Sequence, residues 1–230
     1  MTHPSAPTLL VSHDAPHDVD RHGHTAPLED CLDFVNTGRL VRGRRTHEFA
    51  GPTDAIEWFA ARNLTHDDAR QRLLARYASD PAAGEADLAN IRRVRDAMRG
   101  LLEAAVSGLP PSRSDLRTVN RILQTHYVYV LVPAADGISL SHRHLGDTIA
   151  GALGRLAETL ARELSQGMPE RLRICESPDC SEAFIDRSRT GRRRWCDMAT
   201  CGNRAKAARH RERRRMLAAA GSAGVVDPSA

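Results

Sequence analysis

Apolar residues recur every three or four positions along several stretches between residues 28 and 164, which is the period of amphipathic helices. The longest stretch is predicted to be a helix at residues 85–106, with Leu88, Ile91, Val94, Met98 and Leu102 on one face. Its arginines are expected to lie on the solvated face: Arg92, Arg93, Arg95 and Arg99. Further helices are predicted at residues 28–36, 54–61, 65–78, 114–124 and 147–164. Residues 79–84 are expected to form a loop.

The period changes to two after residue 126. Residues 127–132, with the sequence YVYVLV, and residues 138–141 are predicted β-strands joined by a turn that contains Pro133 and Gly137. Because two strands alone are marginally stable, we expect this hairpin to lean on the helices. The predicted fold class of the body is therefore mainly α with a small β-hairpin, an α+β arrangement.

A second pattern begins near residue 171, where apolar residues become scarce and cysteines accumulate. Cys175, Cys180, Cys196 and Cys201 form a C-x4-C pair, a gap of fifteen residues and another C-x4-C pair. Two such pairs can bring four thiolates to one tetrahedral Zn²⁺. A segment with so small a core needs a stabilising cross-link, and bound zinc can supply on the order of 10 kcal/mol of folding free energy. Two disulfides are the alternative.

Other residues of this segment have predicted structural roles. Phe184 and Trp195 are expected to form a miniature core, and Asp186 is expected to cap a turn or pair with an arginine. Gly202 is expected to permit a tight turn, and Asn203 to be the N-cap of a basic helix at residues 204–217. Residues 184–188 and 193–196 are expected to pair as strands across residues 189–192. This arrangement predicts a treble-clef-like zinc finger that ends in a basic helix.

Two short motifs resemble known families. The sequence CGNR at residues 201–204 resembles the signature of the CGNR zinc finger, and Phe184, Asp186, Ser188 and the run Arg194-Trp195-Cys196 match that family too. Residues 31–37, CLDFVNT, resemble the opening of the ABATE domain, which often precedes such a finger. The resemblance implies a bacterial, stress-induced transcription regulator that binds zinc and DNA. Outside the finger, Cys31 is expected to be a small buried apolar residue.

The chain is expected to divide into four parts. These are a disordered leader at residues 1–27, a helical ABATE-like sensor or dimerisation domain at 28–167, the zinc finger at 171–217 and a flexible tail at 218–230. The sequence shows neither a secretory signal pattern nor a run of about 18 apolar residues. We therefore expect a cytoplasmic protein without a membrane partner.

Charge is distributed unevenly along the chain. Residues 171–215 hold 14 basic and 6 acidic side chains, a net charge of +8, whereas residues 1–170 have a net charge of −3. A mildly acidic body with a strongly basic module is typical of a nucleic-acid binder. Phosphate contacts are assigned to Arg192, Arg193, Arg194, Arg204, Lys206, Arg209, Arg211, Arg213 and Arg214. A solvated basic tail is the alternative, and the arginines of a loop at residues 38–52 are expected to be solvated rather than to bind an anion.

These features predict a zinc-dependent, DNA-binding transcription regulator whose finger and basic helix contact DNA. The alternatives are an RNA- or protein-binding zinc module and a thiol/zinc redox switch. An enzyme is not expected, because four thiolates fill the zinc shell and the body has no glycine-rich phosphate loop, HExxH motif or nucleophile elbow. A small-molecule effector of the body and a homodimer are further hypotheses.

Overall fold

The computed structural model describes residues 26–42, 44–124, 127–134, 137–144 and 148–222, so most of the predicted leader and tail lies outside it. The helices are α1 (Leu28–Asn36), α2 (Pro52–Ala60), α3 (Asp67–Ser79), α4 (Pro81–Ser107), α5 (Arg113–Leu123), α6 (Ile149–Gln166) and α7 (Asn203–Ser222). The strands are β1 (Leu40–Val41), β2 (Arg44–Arg45), β3 (Tyr127–Ala134), β4 (Gly137–His144), β5 (Leu172–Ile174) and β6 (Ala183–Ile185). No helix within these ranges is both long and apolar enough to cross a membrane.

Helix α4 is the centre of the body. Its 27 residues extend for about 40 Å, and α1, α2, α3, α5 and α6 all pack against it. The predicted apolar stripe is confirmed, since Leu88, Ile91, Met98 and Leu102 are at most 1% exposed. The predicted mainly helical fold is therefore correct, and its core lies along one long helix.

The predicted loop at residues 79–84 is wrong, because α4 begins at Pro81. Asp80 caps the helix by accepting a hydrogen bond from the Ala83 amide at 3.1 Å. Proline is tolerated in the first helical turn, where its missing N–H would have no intrahelical partner. A proline that looked like a loop residue therefore marks a helix start.

Two arginines of α4 are buried rather than solvated, which corrects the sequence-based expectation. The side chains of Arg95 and Arg99 are 0% and 4% exposed. The Arg95 guanidinium contacts His47 Nδ1 at 2.9 Å and Asp96 Oδ1 at 3.0 Å. A Cβ at Gly38 would overlap the guanidinium of Arg95, so a larger residue there would displace it. Hydrogen bonds to polar groups of α4 and of other segments satisfy the donors of the two arginines, which makes their burial possible.

The starts of α2 and α3 each differ from the prediction by two residues. Helix α2 begins at Pro52 rather than at residue 54, and the Asp54 carboxylate accepts the amides of Ala50 and Gly51. Helix α3 begins after His66, which makes no side-chain capping bond, rather than at Thr65. The bounds of α1 agree with the sequence-based prediction. Helix periodicity thus located these three helices, and their starts were predicted to within two residues.

The predicted hairpin is present as β3 and β4, and both strands are longer than expected. Leu131 pairs with Leu140, and Pro133 pairs with Ile138, so these residues share one face. Leu131, Ile138 and Leu140 are 65–74% exposed. The expectation that the hairpin leans on the helices is therefore wrong for this part of it.

Two further hairpins connect the body to the cysteine-rich segment. Strands β1 and β2 pair within the region that was expected to be a loop. Strands β5 and β6 pair with each other, and Leu172 and Ala183 are buried in the same apolar cluster as the helices of the body. The base of the finger is thus part of the main core.

Candidate metal centre and basic helix

Four sulfur atoms of the C-terminal segment lie within reach of one metal ion. The Sγ atoms of Cys175, Cys180, Cys196 and Cys201 all lie within 4.8 Å of one another. Cys196 Sγ is 3.6 Å from Cys180 Sγ and 3.7 Å from Cys201 Sγ. A tetrahedral zinc ion with Zn–S bonds of about 2.3 Å requires about 3.8 Å between its sulfur ligands. The four predicted ligands are therefore brought together with the dimensions of a zinc site.

The alternative of two disulfides does not fit this geometry. All five cysteines are free thiols, and the sulfur separations far exceed a disulfide bond of about 2.0 Å. Three of the four clustered cysteines are buried and Cys196 is half-buried. Four sulfur donors in a closed, mostly buried cluster are the donor set of a structural zinc site, and the cluster can hold a zinc ion.

The ionisation of the thiols is coupled to metal binding at this cluster. Burial raises the pKa of Cys180 to about 11 and also raises the pKa of Cys196. Burial opposes ionisation of Cys201 as well, but hydrogen bonds from the neighbouring sulfurs outweigh it and lower its pKa. Four thiolates at such distances repel one another. A divalent cation removes that repulsion, so metal binding and loss of the thiol protons are coupled.

The fifth cysteine takes no part in the cluster. Cys31 is fully buried in the core of the body, and burial raises the pKa of its thiol to about 12. A protonated thiol in an apolar environment behaves as a small hydrophobic residue. The prediction for Cys31 is confirmed.

The first cysteine pair lies on the turn between β5 and β6, which we call the knuckle (residues 175–182). The Cys175 amide donates to Glu182 O at 2.8 Å, and the Cys180 amide donates to Ser177 O at 3.0 Å. Ser181 adopts a φ of 52°, a left-handed conformation that reverses the chain after Cys180. The knuckle is therefore a closed backbone turn that points both sulfurs at the metal site.

Two polar side chains of the body hold the strand that leaves the knuckle. Asn36 Nδ2 donates to Ala183 O at 2.9 Å, and Asn36 Oδ1 accepts from the Ala183 amide at 2.8 Å. Arg99 Nη2 donates to Ser181 O at 2.6 Å, and its Nη1 donates to Asn36 Oδ1 at 3.3 Å. An amide side chain offers one donor and one acceptor side, so Asn36 acts as a strand neighbour for Ala183. We call this arrangement the Asn36–Arg99 clasp.

The β1–β2 hairpin also contacts the knuckle. The Arg42 amide donates to Pro178 O at 3.1 Å, and Arg42 Nε donates to Asp179 Oδ1 at 2.7 Å. The hydrogen bond from Arg42 lowers the pKa of Asp179, and the charges of Arg42 and Arg204 lower it further. Asp179 is therefore influenced both by the hairpin and by the first turn of α7.

The second cysteine pair follows a turn that is organised by Asp186. One carboxylate oxygen of Asp186 accepts the Ser188 amide at 2.9 Å, and the other accepts the Arg193 amide at 2.7 Å. Burial opposes ionisation of Asp186, but hydrogen bonds from Ser188 and Arg193 outweigh it and lower the pKa to about 2. The prediction that Asp186 caps a turn is confirmed.

The predicted strand pairing across residues 189–192 is wrong, because residues 183–185 pair with β5 instead. The segment between β6 and Cys196 is held by two arginines, one just before β5 and one within it. Arg171 Nη1 donates to Ser188 O and Arg173 Nη2 donates to Gly191 O, both at 2.9 Å. In the sequence both arginines contribute only to the net charge of residues 171–215, whereas in the structure they donate hydrogen bonds to the backbone.

Helix α7 is entered through a π-helical turn, Met198–Gly202, rather than at an Asn203 cap. Asp197 Oδ1 accepts hydrogen bonds from the Thr200 amide and hydroxyl, both at 2.7 Å. Asn203 is already helical, with φ −68° and ψ −39°, and its side chain donates to Ala199 O at 3.0 Å. The predicted cap is therefore wrong. The helical turn starts before the last cysteine, which places Cys201 inside the turn and within the sulfur cluster.

The miniature core of the finger is present as predicted. Phe184 is 9% exposed and packs with the clustered cysteines, and the half-buried Trp195 packs beside it. A Cβ at Gly202 would lie 2.9 Å from Met198 Sδ and 3.2 Å from Trp195 Cδ1. Gly202 is outside the left-handed region, so its role is to permit close packing rather than the tight turn that was predicted.

The three arginines that precede the second cysteine pair have different surroundings. Arg192 is exposed, whereas the guanidinium of Arg193 donates to Cys196 O. Arg194 forms an ion pair with Glu176 at 2.5 Å and is 58% exposed. Two of these three predicted DNA contacts therefore also have partners inside the finger.

Helix α7 is exposed on all sides. From residue 203 to residue 217, every side chain except the half-buried Ala205 is exposed. This helix carries the remaining predicted contacts: Arg204, Lys206, Arg209, Arg211, Arg213 and Arg214. Glu212 is the single acidic residue of α7, whose 20 residues extend for about 30 Å. Helix α7 is thus a strongly basic helix whose N-terminus lies at the metal cluster.

The fold and the site together define a helical protein that carries a zinc finger with a basic C-terminal helix. Residues 171–214 match the family described as "CGNR zinc finger", and residues 29–167 match the ABATE family, described as "Putative stress-induced transcription regulator". Because the second match covers more than half of the chain, the protein belongs to the ABATE family. A search of the curated proteins finds no match.

Proposed function

We propose that this protein is a zinc-dependent transcription regulator that binds duplex DNA through its finger and α7. The observation that carries the proposal is the exposed, arginine-rich helix that begins at the four-cysteine cluster. The description of the ABATE family as a transcription regulator supports it. In this proposal the helical body senses a small-molecule effector or forms a homodimer, and the protein acts in the cytoplasm.

Electrostatics favours a polyanion as the partner of α7. Seven basic residues and one acid lie between residues 204 and 215, so the isolated helix repels itself. Duplex DNA carries one phosphate charge per about 1.7 Å of its axis, and its major groove, about 12 Å wide, admits an α-helix. Phosphate contacts would relieve the repulsion within α7. We therefore assign most of the binding free energy to the α7 residues, with Arg192 as an added contact.

Zinc has a structural role in this proposal. Four sulfur ligands complete a tetrahedral shell, which leaves no position for an activated water molecule. Bound zinc would fix Cys201, and with it the start of α7, against the knuckle. We therefore propose that the protein is a binding protein rather than an enzyme.

A salt-titrated binding curve tests the proposal. Zinc-loaded protein would be titrated against a labelled random-sequence duplex, and the dissociation constant measured from 50 to 300 mM salt. We expect log K to fall linearly with log salt concentration, with a slope of about −0.9 for each phosphate contact. Cys201→Ser should lose zinc and this binding together, whereas Cys31→Ala, which removes a buried thiol outside the cluster, should retain both.

Two results would contradict the proposal. Zinc-loaded wild-type protein that fails to bind duplex DNA, or that binds without salt dependence, would exclude a phosphate-based DNA contact. In a competition assay, a structured RNA that displaces the duplex at far lower concentration would instead identify RNA as the partner.

A further inference from the structure

The β1–β2 hairpin carries basic charge that the proposed function does not use. Residues 39–45 read RLVRGRR, which is four arginines without an acid. Arg42 and Arg44 are exposed, and Arg39 is half-buried. Val41 pairs with Arg44 across the hairpin, and the Thr46 amide donates to Arg39 O at 2.9 Å. The backbone that carries these arginines is therefore fixed by strand pairing, unlike the solvated loop that the sequence suggests.

The hairpin is fastened beside the metal cluster. Arg42, at its tip, bonds to Pro178 and Asp179 of the knuckle, and the next residue is Cys180. The sulfur of Cys180 lies within 4.8 Å of the sulfur of Cys201, two residues before α7 begins. The hairpin tip and the first turn of α7 therefore border the same small cluster, although about 160 residues separate them in the chain.

Charge at this junction favours an anionic partner. The knuckle carries three acids, Glu176, Asp179 and Glu182. Arg42 forms an ion pair with Asp179, and Arg194 forms one with Glu176. Arg204 lies close enough to act on the same carboxylate electrostatically. With Asp179 engaged in this way, the positive charge of Arg39 and Arg44 adds to that of α7. A strand-paired basic element and a basic helix that border the same cysteine cluster can meet phosphates at two places along one duplex.

We propose that the β1–β2 hairpin is a second DNA-contacting element, in which Arg39 and Arg44 of the body contact the phosphate backbone of the duplex that α7 binds. This inference rests on the proposed function. The hairpin contacts supply affinity and orientation rather than sequence readout, because phosphates carry no direct sequence information. Arg42 positions the hairpin through its bonds to the knuckle.

The test compares four zinc-loaded variants with the wild-type protein on the same duplex. Arg39→Gln/Arg44→Gln removes the two hairpin charges, and Arg39→Lys/Arg44→Lys keeps them. Arg211→Gln/Arg213→Gln removes two charges from α7, and Arg72→Gln removes an exposed charge of α3 as the control. Zinc content and thermal melting curves verify that each variant is folded.

We expect the glutamine pair in the hairpin to reduce the salt slope by about two and to weaken binding on the order of 10-fold at 0.15 M salt. The lysine pair should retain the wild-type slope, because a phosphate contact depends mainly on charge, and Arg72→Gln should match the wild type. If the Arg39→Gln/Arg44→Gln variant failed to fold, its loss of zinc would reveal the misfolding. The Arg39→Lys/Arg44→Lys variant would then decide the question, and a salt slope smaller than that of the wild type would overturn the inference.

The outcomes separate this inference from the proposed function. The hairpin contact alone would be overturned by the following result: the wild type binds DNA, Arg211→Gln/Arg213→Gln weakens binding, and Arg39→Gln/Arg44→Gln binds as well as Arg72→Gln. Wild-type protein that does not bind duplex DNA, or that prefers RNA, would overturn both.

Discussion

The two cysteine pairs of the metal site have the same spacing in the sequence but different supports in the structure. The first pair lies on the knuckle between β5 and β6, whose Leu172 and Ala183 belong to the core of the body. The second pair follows turns that are organised by Asp186 and Asp197 within the finger. The first pair is therefore attached to the core of the body through its flanking strands, whereas the second pair is held by local turns of the finger.

This difference identifies what zinc has to contribute. Buried and half-buried hydrogen bonds from the clasp hold the strand after Cys180 without involving the cysteine sulfurs. The segment around Cys196 and Cys201 is half-buried to exposed over most of its length, so few apolar contacts oppose its unfolding. We therefore interpret the body as a template that presents two ligands, and zinc as the link that fixes α7 to it.

Removing the metal should produce the largest effect. On chelation we expect the amides of residues 193–217 to lose most of their protection, since structural zinc contributes on the order of 10 kcal/mol to such segments. The amides of α4 and of strands β5 and β6 should keep their protection. Hydrogen exchange followed by mass spectrometry, with and without a chelator, measures both regions in one experiment.

Readdition of zinc is the control and should restore protection of α7. If chelation instead exposed α1 and α4 to the same extent as α7, the body would depend on the metal as much as the finger does. The contrast between the two cysteine pairs would then be wrong.

Breaking the clasp should have the next largest effect. In Asn36→Ala the backbone donor and acceptor of Ala183 lose their partner in a buried position, which should cost about 2–4 kcal/mol of unfolding free energy. Zinc affinity should fall as well, because the knuckle would be less well positioned. Urea unfolding of zinc-loaded protein and competition with a zinc indicator measure these two quantities.

The matched control is Asn120→Ala, which truncates an exposed asparagine of α5. Surface substitutions of this kind usually change stability by less than about 0.5 kcal/mol. An Asn36→Ala variant no less stable than Asn120→Ala would contradict a structural role for the clasp.

A smaller effect is expected from a substitution that crowds the packing beside the second cysteine pair. Gly202→Ala would place a methyl group 2.9 Å from Met198 Sδ, and we expect a loss of about 1 kcal/mol because the methionine end can move partly away. The loss should appear as a lower melting temperature and faster zinc release.

The double variant Met198→Ala/Gly202→Ala shows whether this contact is the cause. Removing the methionine side chain should recover much of the stability that the alanine costs, giving a clear coupling energy between the two positions. Strictly additive effects would show that the close packing seen at Gly202 does not limit stability.

Local pattern was sufficient to predict much of the secondary structure and the zinc ligands. The apolar period of three to four located all the helices of the body, since burial of one helix face imposes that period. The paired spacing of the four cysteines predicted a cluster of four sulfur atoms, which the structure contains. The misses are concentrated at helix starts, where Pro81 opens α4 and Asp197 rather than Asn203 caps the entry to α7. A single capping bond leaves a weaker signal than a repeated apolar stripe.

Polar residues in the core were the larger failure. Arg95 and Arg99 are charged residues in a helix, and nothing local shows that other elements cover them. Asn36 is the last residue of a predicted helix, but its side-chain amide forms hydrogen bonds to the backbone of Ala183, which is 147 positions away. Such pairings depend on which segments meet, so one sequence read in order does not reveal them.

The class of elements, the zinc ligand set and the uneven charge could be predicted from the sequence, because each depends on residue type and short spacing. Three features depend on how distant segments pack: the base of the finger shares the core of the body, the Asn36–Arg99 clasp holds the strand after Cys180, and the β1–β2 hairpin lies against the knuckle. These features rest on hydrogen bonds and ion pairs between segments far apart in the chain, and the free energy of the whole fold selects them.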